Sequence, residues 1–277
     1  MTLLNDIGDA FAKKRRILLP EAGGDSAYSM MGFLSEQLSR HEMEQIVAVD
    51  RDPDRLHYWR SRGLRTITEE LIALKPYPSD RLLPTSEEFV RKHAFEWRVL
   101  GAKHQTFELH DKRVAYERMA KTTGAVLLPP LLPRAIAREV LSAGGRGTTD
   151  TKDTLVTAYV PHRFKVVVDM NPDRNHYLCR KVFNEVHGRD DGALLLGIAS
   201  NEYLRVWEAA KEVVERLWLS GLCHLQMIED YDGRLYFIEV AARLSGSSWL
   251  FKKVGASPLD ESRVVTHTTL VTTRCGI

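Results

Sequence analysis

The sequence predicts an α/β protein of two domains, in which helices cover a parallel sheet and a second unit contains a β-hairpin and a long helix. Residues 16–50 read as strand, helix and strand, which is typical of a parallel sheet covered by helices. Residues 202–219 repeat apolar side chains at intervals of three and four, which indicates an amphipathic helix. Asp232 and Gly233 separate two β-rich runs, which predicts a hairpin.

Length and composition are those of an ordinary globular protein. The 277 residues suffice for two domains, and 44% apolar and 27% charged residues are usual proportions. A net charge of +2 gives no electrostatic case for nucleic acid or an anionic membrane. No apolar run approaches the roughly 20 residues of a membrane span, and no secretory signal is recognisable. Because the three cysteines are scattered and odd in number, they read as reduced thiols of a cytoplasmic protein.

The first third of the chain alternates between apolar runs and helical patterns. Strands are expected at 16–20, 45–50 and 81–84, and helices at 26–40, in part of 61–74, and at 86–100. Gly23 and Gly24 follow the first strand, where a glycine pair favours a tight turn over a phosphate site. Asp50 ends the second strand as the ribose-binding acid of dinucleotide folds does, but the glycine fingerprint is absent. A dinucleotide-dependent oxidoreductase is therefore poorly supported.

The middle of the chain carries a capped helix and a glycine-rich loop. Asp111 is expected to cap a helix over 113–123 that ends at Gly124. The proline-rich segment 127–133 cannot form the interior of a helix. Three β-rich strands are expected at 155–161, 164–170 and 177–183. The segment 142–148 is either a flexible surface loop or a nest of backbone N–H groups around a polyphosphate.

The hairpin near the C-terminus brings polar side chains together. With a loop at 230–233, His224 is expected opposite Glu239, and Gln226 one step along the same face. An amide oxygen and a carboxylate suit Mg²⁺, which otherwise uses phosphate oxygens and water. The alternative is a solvated hairpin whose polar residues line its open face.

This hairpin resembles the C-terminal metal and phosphate hairpin of the ATP-grasp superfamily. The similar branch, carbamoyl-phosphate synthetase and biotin carboxylase, often reads G-x-x-N-x-Q followed by Y-x-I-E-x-N-x-R-x-S-G-S. Gln226, Glu239 and Arg243 match that pattern, while Ala241 stands in place of the Asn. The resemblance implies that Gln226 and Glu239 bind Mg²⁺, that Arg243 contacts the transferring phosphoryl group, and that Ser245 lines the acyl-phosphate site.

The resemblance covers most of the chain and implies how it is divided. Residues 18–26 and 82–88 are similar to strand ends of the Rossmann-like domain that precedes the ATP-grasp domain. The implied fold is a Rossmann-like pre-ATP-grasp domain at 1–104, followed by an α+β ATP-grasp domain at 105–277. Its lid subdomain, at about 125–170, is reduced, because two connections are shorter than the family pattern.

Further site residues follow from the resemblance. Lys112 belongs to the Asp-Lys pair that opens the ATP-grasp domain. Arg180 corresponds to a basic residue that the family places near the phosphates. The alternative interpretation is that Arg180 lies at a solvated strand edge. The phosphate-binding set consists of Arg138, Gly144, Gly145, Arg146 and Gly147. The adenine hinge consists of Val156, Tyr159 and Val160, with Ala158 in place of the hinge Glu.

The resemblance implies an ATP-dependent ligase with ATP and Mg²⁺ as cofactors. Such an enzyme activates a carboxylate as an acyl phosphate, which an amine then attacks to form an amide. The implied partners are a small carboxylate and an amine, with amino acids among the candidates, and a homodimer is left open. Because Ala158 and Ala241 depart from the pattern, the alternative is a catalytically decayed ATP-grasp protein that acts as a nucleotide-binding or scaffold module.

Overall fold

The computed structural model describes residues 3–74, 77, 79–92, 98–101, 104–109, 111–132, 155–186 and 189–272. Within these ranges the chain forms one sheet of four strands and one of six strands, with helices packed around them. This is the mixed α/β architecture that the sequence predicts. The division at residue 104/105 stays a prediction.

The first sheet is parallel throughout, with the strand order β3-β2-β1-β4. Its strands are β1 (Ile17–Pro20), β2 (Ile46–Asp50), β3 (Arg65–Thr68) and β4 (Arg81–Leu82). The helices of this part are α1 (Leu3–Ala12), α2 (Asp25–Leu34), α3 (Arg40–Met43), α4 (Pro53–Ser61), α5 (Glu69–Leu74), α6 (Glu87–Lys92) and α7 (His104–Glu108). The predicted strands at 16–20 and 45–50 are thereby confirmed.

The segment 61–74 is partly helical, as predicted, because α5 begins at Glu69. The same segment also contains β3, a strand that was not predicted, whose Thr-Ile-Thr run pairs with β2. One prediction for this part of the chain is wrong in detail. The helix expected to reach residue 100 ends before it, because Val99 pairs with Leu82 and Leu100 donates its backbone N–H to the Leu82 carbonyl at 2.8 Å.

The second sheet is antiparallel throughout, with the strand order β10-β7-β6-β5-β8-β9. Its strands are β5 (Phe164–Asn171), β6 (His176–Val186), β7 (Arg189–Leu195), β8 (Cys223–Glu229), β9 (Leu235–Ala241) and β10 (Thr269–Thr272). The helices of this part are α8 (Lys112–Ala120) and α9 (Asn201–Leu217). A 3-10 helix, Ser248–Val254, follows the hairpin.

The strand expected at 155–161 does not form. Among the described residues this segment makes one isolated bridge, between Thr157 and Leu131, beside a hydrogen bond from the Ala158 N–H to the Pro130 carbonyl at 2.7 Å. Since Pro130 has no N–H, it cannot donate a hydrogen bond back to the Ala158 carbonyl, and the strand pairing ends at this point.

Each face of the antiparallel sheet packs against a different layer. Val166, Val168 and Cys179 share a core with α8 and α9. Val167, Leu178 and Val182 share a core with the elements of the first sheet. Residues directly opposite on paired strands point to the same face, so Gln226, the partner of Val167, points toward the first sheet.

The long amphipathic helix is confirmed as α9, with Ser200 as its N-cap accepting the Tyr203 N–H at 3.1 Å. Val206, Ala210 and Val213 are fully buried against the sheet. Leu204 and Trp218, which were expected in the apolar stripe, are 45% and 77% exposed. Trp218 leaves the stripe because it is the C-cap, in left-handed backbone conformation.

Candidate functional site

The hairpin brings Gln226 directly opposite Glu239, which corrects the predicted register by two residues. His224 instead lies opposite Ala241, and a bulge between Gln226 and Met227 leaves Ile238 as the extra residue on β9. The bulge lets Phe237 pair with Met227 in the apolar core beneath α9 while Glu239 points to the other face. The two predicted metal ligands are therefore cross-strand neighbours.

Lys112 forms an ion pair with Glu239, with 2.6 Å between its Nζ and Oε2. Lys112 is the first residue of α8, which Asp111 caps by accepting the Arg113 N–H at 2.9 Å. Burial raises the pKa of Glu239, but the positive charge of Lys112 and its hydrogen bond to the carboxylate outweigh burial, so this pKa lies below its usual value. Glu239 is therefore a carboxylate at neutral pH.

The donors present fit a magnesium ion that shares its coordination with phosphate. One carboxylate and one amide oxygen are too few for an all-protein cage, but Mg²⁺ commonly takes one or two protein ligands and completes its shell with phosphate oxygens and water. Among the residues that the structure describes, no group of three or more His, Cys, Asp or Glu side chains could hold a metal. The described hairpin therefore offers a metal two protein oxygen ligands, one from Gln226 and one from Glu239.

Arg243 lies just beyond the hairpin and is held by residues of the first sheet's helices. Its Nη1 donates to Ser26 Oγ at 2.9 Å, and its Nε lies 3.5 Å from Oε2 of Glu87. Oε1 of the same Glu87 accepts the Ala242 N–H at 2.6 Å. Ser26 and Glu87 therefore fix both the backbone and the side chain at this point of the chain.

Arg180 is fully buried behind the loop that follows Arg243. Its Nη1 donates to Asp169 Oδ2 at 2.5 Å, and its Nη2 donates to the hydroxyls of Ser245 and Ser247 at 2.7 and 3.0 Å. Asp169 Oδ1 accepts the Ser245 N–H at 2.9 Å. The guanidinium also lies 5.1 Å above the Phe251 ring. The full burial of Arg180 contradicts the alternative of a solvated strand edge. The guanidinium is directed at the loop that contains Ser245 and Ser247, and its predicted place near the phosphates stays a prediction.

His224 is buried and neutral in this arrangement. Its Nδ1 lies 3.1 Å from the Arg243 carbonyl oxygen, and since a carbonyl only accepts, Nδ1 carries the proton. Burial, and next the positive charge of Arg243, lower the pKa of His224. The sequence offered His224 as a neighbour of the metal ligands, and the structure shows it supporting the Arg243 backbone.

A cavity of about 440 Å³ lies beside Arg243, between the two sheets. Its lining comprises Glu21, Gly24, Asp25, Ser26, Thr85, Ser86, Glu87, Glu88, Arg243 and Gly246. It has the size of a small-molecule pocket. No local motif indicates this cavity, because its walls come from loops after β1 and β4 and from the end of a hairpin roughly 150 residues further along the chain.

The remaining predicted residues are only partly placed. Arg138, Gly144, Gly145, Arg146 and Gly147 lie outside the described residues. In the predicted hinge, the Val156 carbonyl accepts the Leu132 N–H at 3.0 Å and the Val160 carbonyl lies 3.0 Å from His162 Nδ1. Tyr159 is 79% exposed. The hinge role of Val156, Tyr159 and Val160 stays a prediction.

No described helix has the length and apolar character to cross a membrane.

Comparison with solved structures gives the fold. No protein-family model matches the sequence, and no curated protein matches it. An Archaeoglobus fulgidus protein described as belonging to the ATP-grasp superfamily has a TM-score of 0.62 and 15% identity, covering 92% of this chain and 90% of its own. N5-carboxyaminoimidazole synthase from Aspergillus clavatus, in complex with ADP and 5-aminoimidazole ribonucleotide, has a TM-score of 0.59 and 12% identity, covering 92% and 81%. Campylobacter jejuni biotin carboxylase has a TM-score of 0.59 and 14% identity, covering 90% and 70%.

Proposed function

Because the chain has the ATP-grasp fold, we propose that it is an ATP-dependent, ADP-forming ligase that joins a carboxylate to an amine with the help of Mg²⁺. The observation that carries this proposal is the cross-strand pair of Gln226 and Glu239, with Lys112 and Arg243 close by. Two oxygen ligands flanked by two cations match the charge of a metal-bound triphosphate.

In this proposal the hairpin holds the metal and its neighbours hold the phosphates. Gln226 and Glu239 would bind Mg²⁺, which when bound supplies positive charge to the β- and γ-phosphates. Lys112 would exchange its contact with Glu239 for a phosphate oxygen, because the metal would then satisfy the carboxylate. Arg138 and the glycine loop at 144–147 would cover the phosphates, and the hinge at 156–160 would face the adenine.

The reacting groups would meet beside Arg243. A substrate carboxylate oxygen attacks the γ-phosphorus, ADP leaves, and the amine then displaces inorganic phosphate from the acyl phosphate. Arg243, at the mouth of the cavity, would neutralise charge on the phosphoryl oxygens. The loop that contains Ser245 would line the site of the same phosphoryl group. Asp169 and Arg180 would hold that loop in position. Positioning and charge carry such a reaction, so no protein nucleophile is required.

Calorimetric titration with a non-hydrolysable ATP analogue tests the metal site. With Mg²⁺ the wild-type chain should bind more tightly than without it, and Glu239→Gln should lose that difference, by roughly 10- to 100-fold. Because the substitution frees Lys112, magnesium-independent binding should persist in this variant, which separates loss of the metal from loss of the fold.

Glu208→Gln is the matched control, since Glu208 is exposed on α9. Binding that is insensitive to Mg²⁺ would contradict the ligase proposal and favour the alternative of a decayed nucleotide-binding module. An absence of any binding would reject the nucleotide site itself.

A further inference from the structure

The hydroxyl of Ser26, the second residue of α2, lies between the side chain of Arg243 and the backbone of Leu244. It accepts a hydrogen bond from Arg243 Nη1 and donates one to the Leu244 carbonyl oxygen, both at 2.9 Å. Because a carbonyl oxygen only accepts, the hydroxyl proton points to Leu244 and a lone pair of the hydroxyl oxygen faces the guanidinium. Ser26 is itself buried. One hydroxyl of the first sheet's helix therefore contacts both the side chain and the adjoining backbone of the arginine segment.

Two of the three guanidinium nitrogens of Arg243 are held by these contacts. Nη1 donates to Ser26 and also to the Leu244 carbonyl oxygen at 3.2 Å. Nε faces Oε2 of Glu87 at 3.5 Å. Within the described ranges of the chain, Nη2 makes no hydrogen bond, and Arg243 lines the cavity of about 440 Å³. The geometry therefore fixes one edge of the guanidinium and leaves Nη2 for a ligand.

A second serine of the same helix offers a comparison. Ser29 is also buried, and its hydroxyl donates to the Gly246 carbonyl oxygen at 3.0 Å. Ser29 thus ties α2 to the loop that follows Arg243, as Ser26 does, but its printed contact is to backbone and not to the guanidinium. The two serines therefore separate two roles, which are anchoring of the loop and orientation of the arginine.

We propose that Ser26 is a positioning residue for phosphoryl transfer, because it orients Arg243 so that Nη2 meets the transferring phosphoryl group. This inference rests on the proposed function, which gives Arg243 its contact with that group. A guanidinium binds phosphate oxygens through N–H groups in a fixed planar arrangement, so a rotated plane weakens these bonds although the charge remains. Loss of the Ser26 hydroxyl should therefore weaken binding of the group in transfer and leave binding of ADP unchanged.

Calorimetry on the full chain tests this role with Mg²⁺ and ADP, alone and with aluminium fluoride, which mimics the phosphoryl group in transfer. Aluminium fluoride should tighten ADP binding to the wild type by about tenfold or more, and Ser26→Ala should keep only about two- to threefold of this gain. Ser29→Ala is the matched control and should keep the gain to within about twofold. All three proteins should bind ADP alone equally well. Thermal unfolding of both variants confirms that they are folded.

The outcomes separate this inference from the proposed function. A Ser26→Ala chain that keeps the full gain from aluminium fluoride would overturn the inference. Equal losses in the two variants would overturn it as well, because anchoring of the loop would then explain both. Wild-type binding of ADP without any gain from aluminium fluoride would overturn the inference and leave the nucleotide site standing. Absence of ADP binding in the wild type would instead reject the ligase proposal, and this inference with it.

Discussion

Replacing Asp169 with Asn tests whether the buried ion pair holds the site together. Asp169 and Arg180 are both fully buried, with 2.5 Å between Oδ2 and Nη1. Asp169→Asn keeps the shape but leaves the guanidinium without its counter-charge, and removing one partner of such a pair typically costs about 3–5 kcal/mol. For a chain of this length each kcal/mol lowers the melting temperature by about 2–4 °C, so a drop of roughly 6–20 °C is expected.

The assay is thermal and urea-induced unfolding of five proteins: the wild type, Asp169→Asn, Arg180→Met, the double variant and a control. Asp232→Asn serves as the control, because Asp232 is 68% exposed at the hairpin tip and should change the free energy of unfolding by less than about 0.5 kcal/mol. The double variant combines Asp169→Asn with Arg180→Met, which removes both charges and keeps an unbranched side chain above Phe251. Its loss should be clearly smaller than the sum of the two single losses.

Two results would refute this reasoning. A loss below about 1 kcal/mol for Asp169→Asn would mean that water or another group compensates Arg180. Additive losses in the double variant would mean that the two side chains act independently. In either case Arg180 could not be the residue that positions Ser245 and Ser247.

Three further predictions concern the contact between the hairpin and the first sheet. Glu87→Gln keeps an oxygen for the Ala242 N–H but loses the charge facing Arg243, and should lower the free energy of unfolding by about 1–3 kcal/mol. Urea unfolding measures this loss, with Glu88→Gln as the control. Equal losses in the two variants would contradict the prediction. Burial and the charge of Arg243 lower the pKa of His224 in the folded chain. As the pH falls below the ordinary histidine pKa of about 6.5, the unfolded chain therefore takes up a proton at this residue before the folded chain does. The free energy of unfolding, measured with urea, should therefore fall between about pH 7.5 and 5.5, and it should fall less in His224→Asn. The same pH dependence in the variant and the wild type would contradict this prediction. Gly246→Ala should cost about 1–3 kcal/mol in thermal unfolding because its new methyl group meets Asp25, and a neutral effect would show that the loop can move aside.

The sequence was sufficient where local pattern decides structure. The helix α9 has a long apolar period, and the hairpin has a turn signal between two β-rich runs, so both could be placed to within a few residues. The strand β3 was missed because its four residues contain a single apolar side chain, and its pairing with β2 decides its conformation. The strand expected at 155–161 failed for the opposite reason: its composition favours β-structure, but Pro130 prevents a ladder.

The pairing register of the β8–β9 hairpin could not be predicted from the sequence, because the position of a bulge depends on how the side chains pack. Counting from the turn puts His224 opposite Glu239, and the extra residue Ile238 is visible only once Phe237 is seen to enter the core beneath α9. The correction moves Gln226 opposite Glu239. The pair that the motif predicts as metal ligands thus becomes closer than turn counting implied, which makes the hairpin a better site than the sequence alone suggested.

The partners of the motif residues could not be predicted, since they are distant in the sequence. Ser26 binds the Leu244 carbonyl across 218 residues, and Glu87 binds the Ala242 N–H across 155. A motif identifies which side chains could touch a metal or a phosphate, but not which ones hold them in place. The same long-range contacts form part of the wall of the cavity, since Ser26, Glu87 and Arg243 all line it. A substitution at Glu87 would therefore change the cavity wall and the support of Arg243 together, and neither effect could be predicted from the local sequence around either residue.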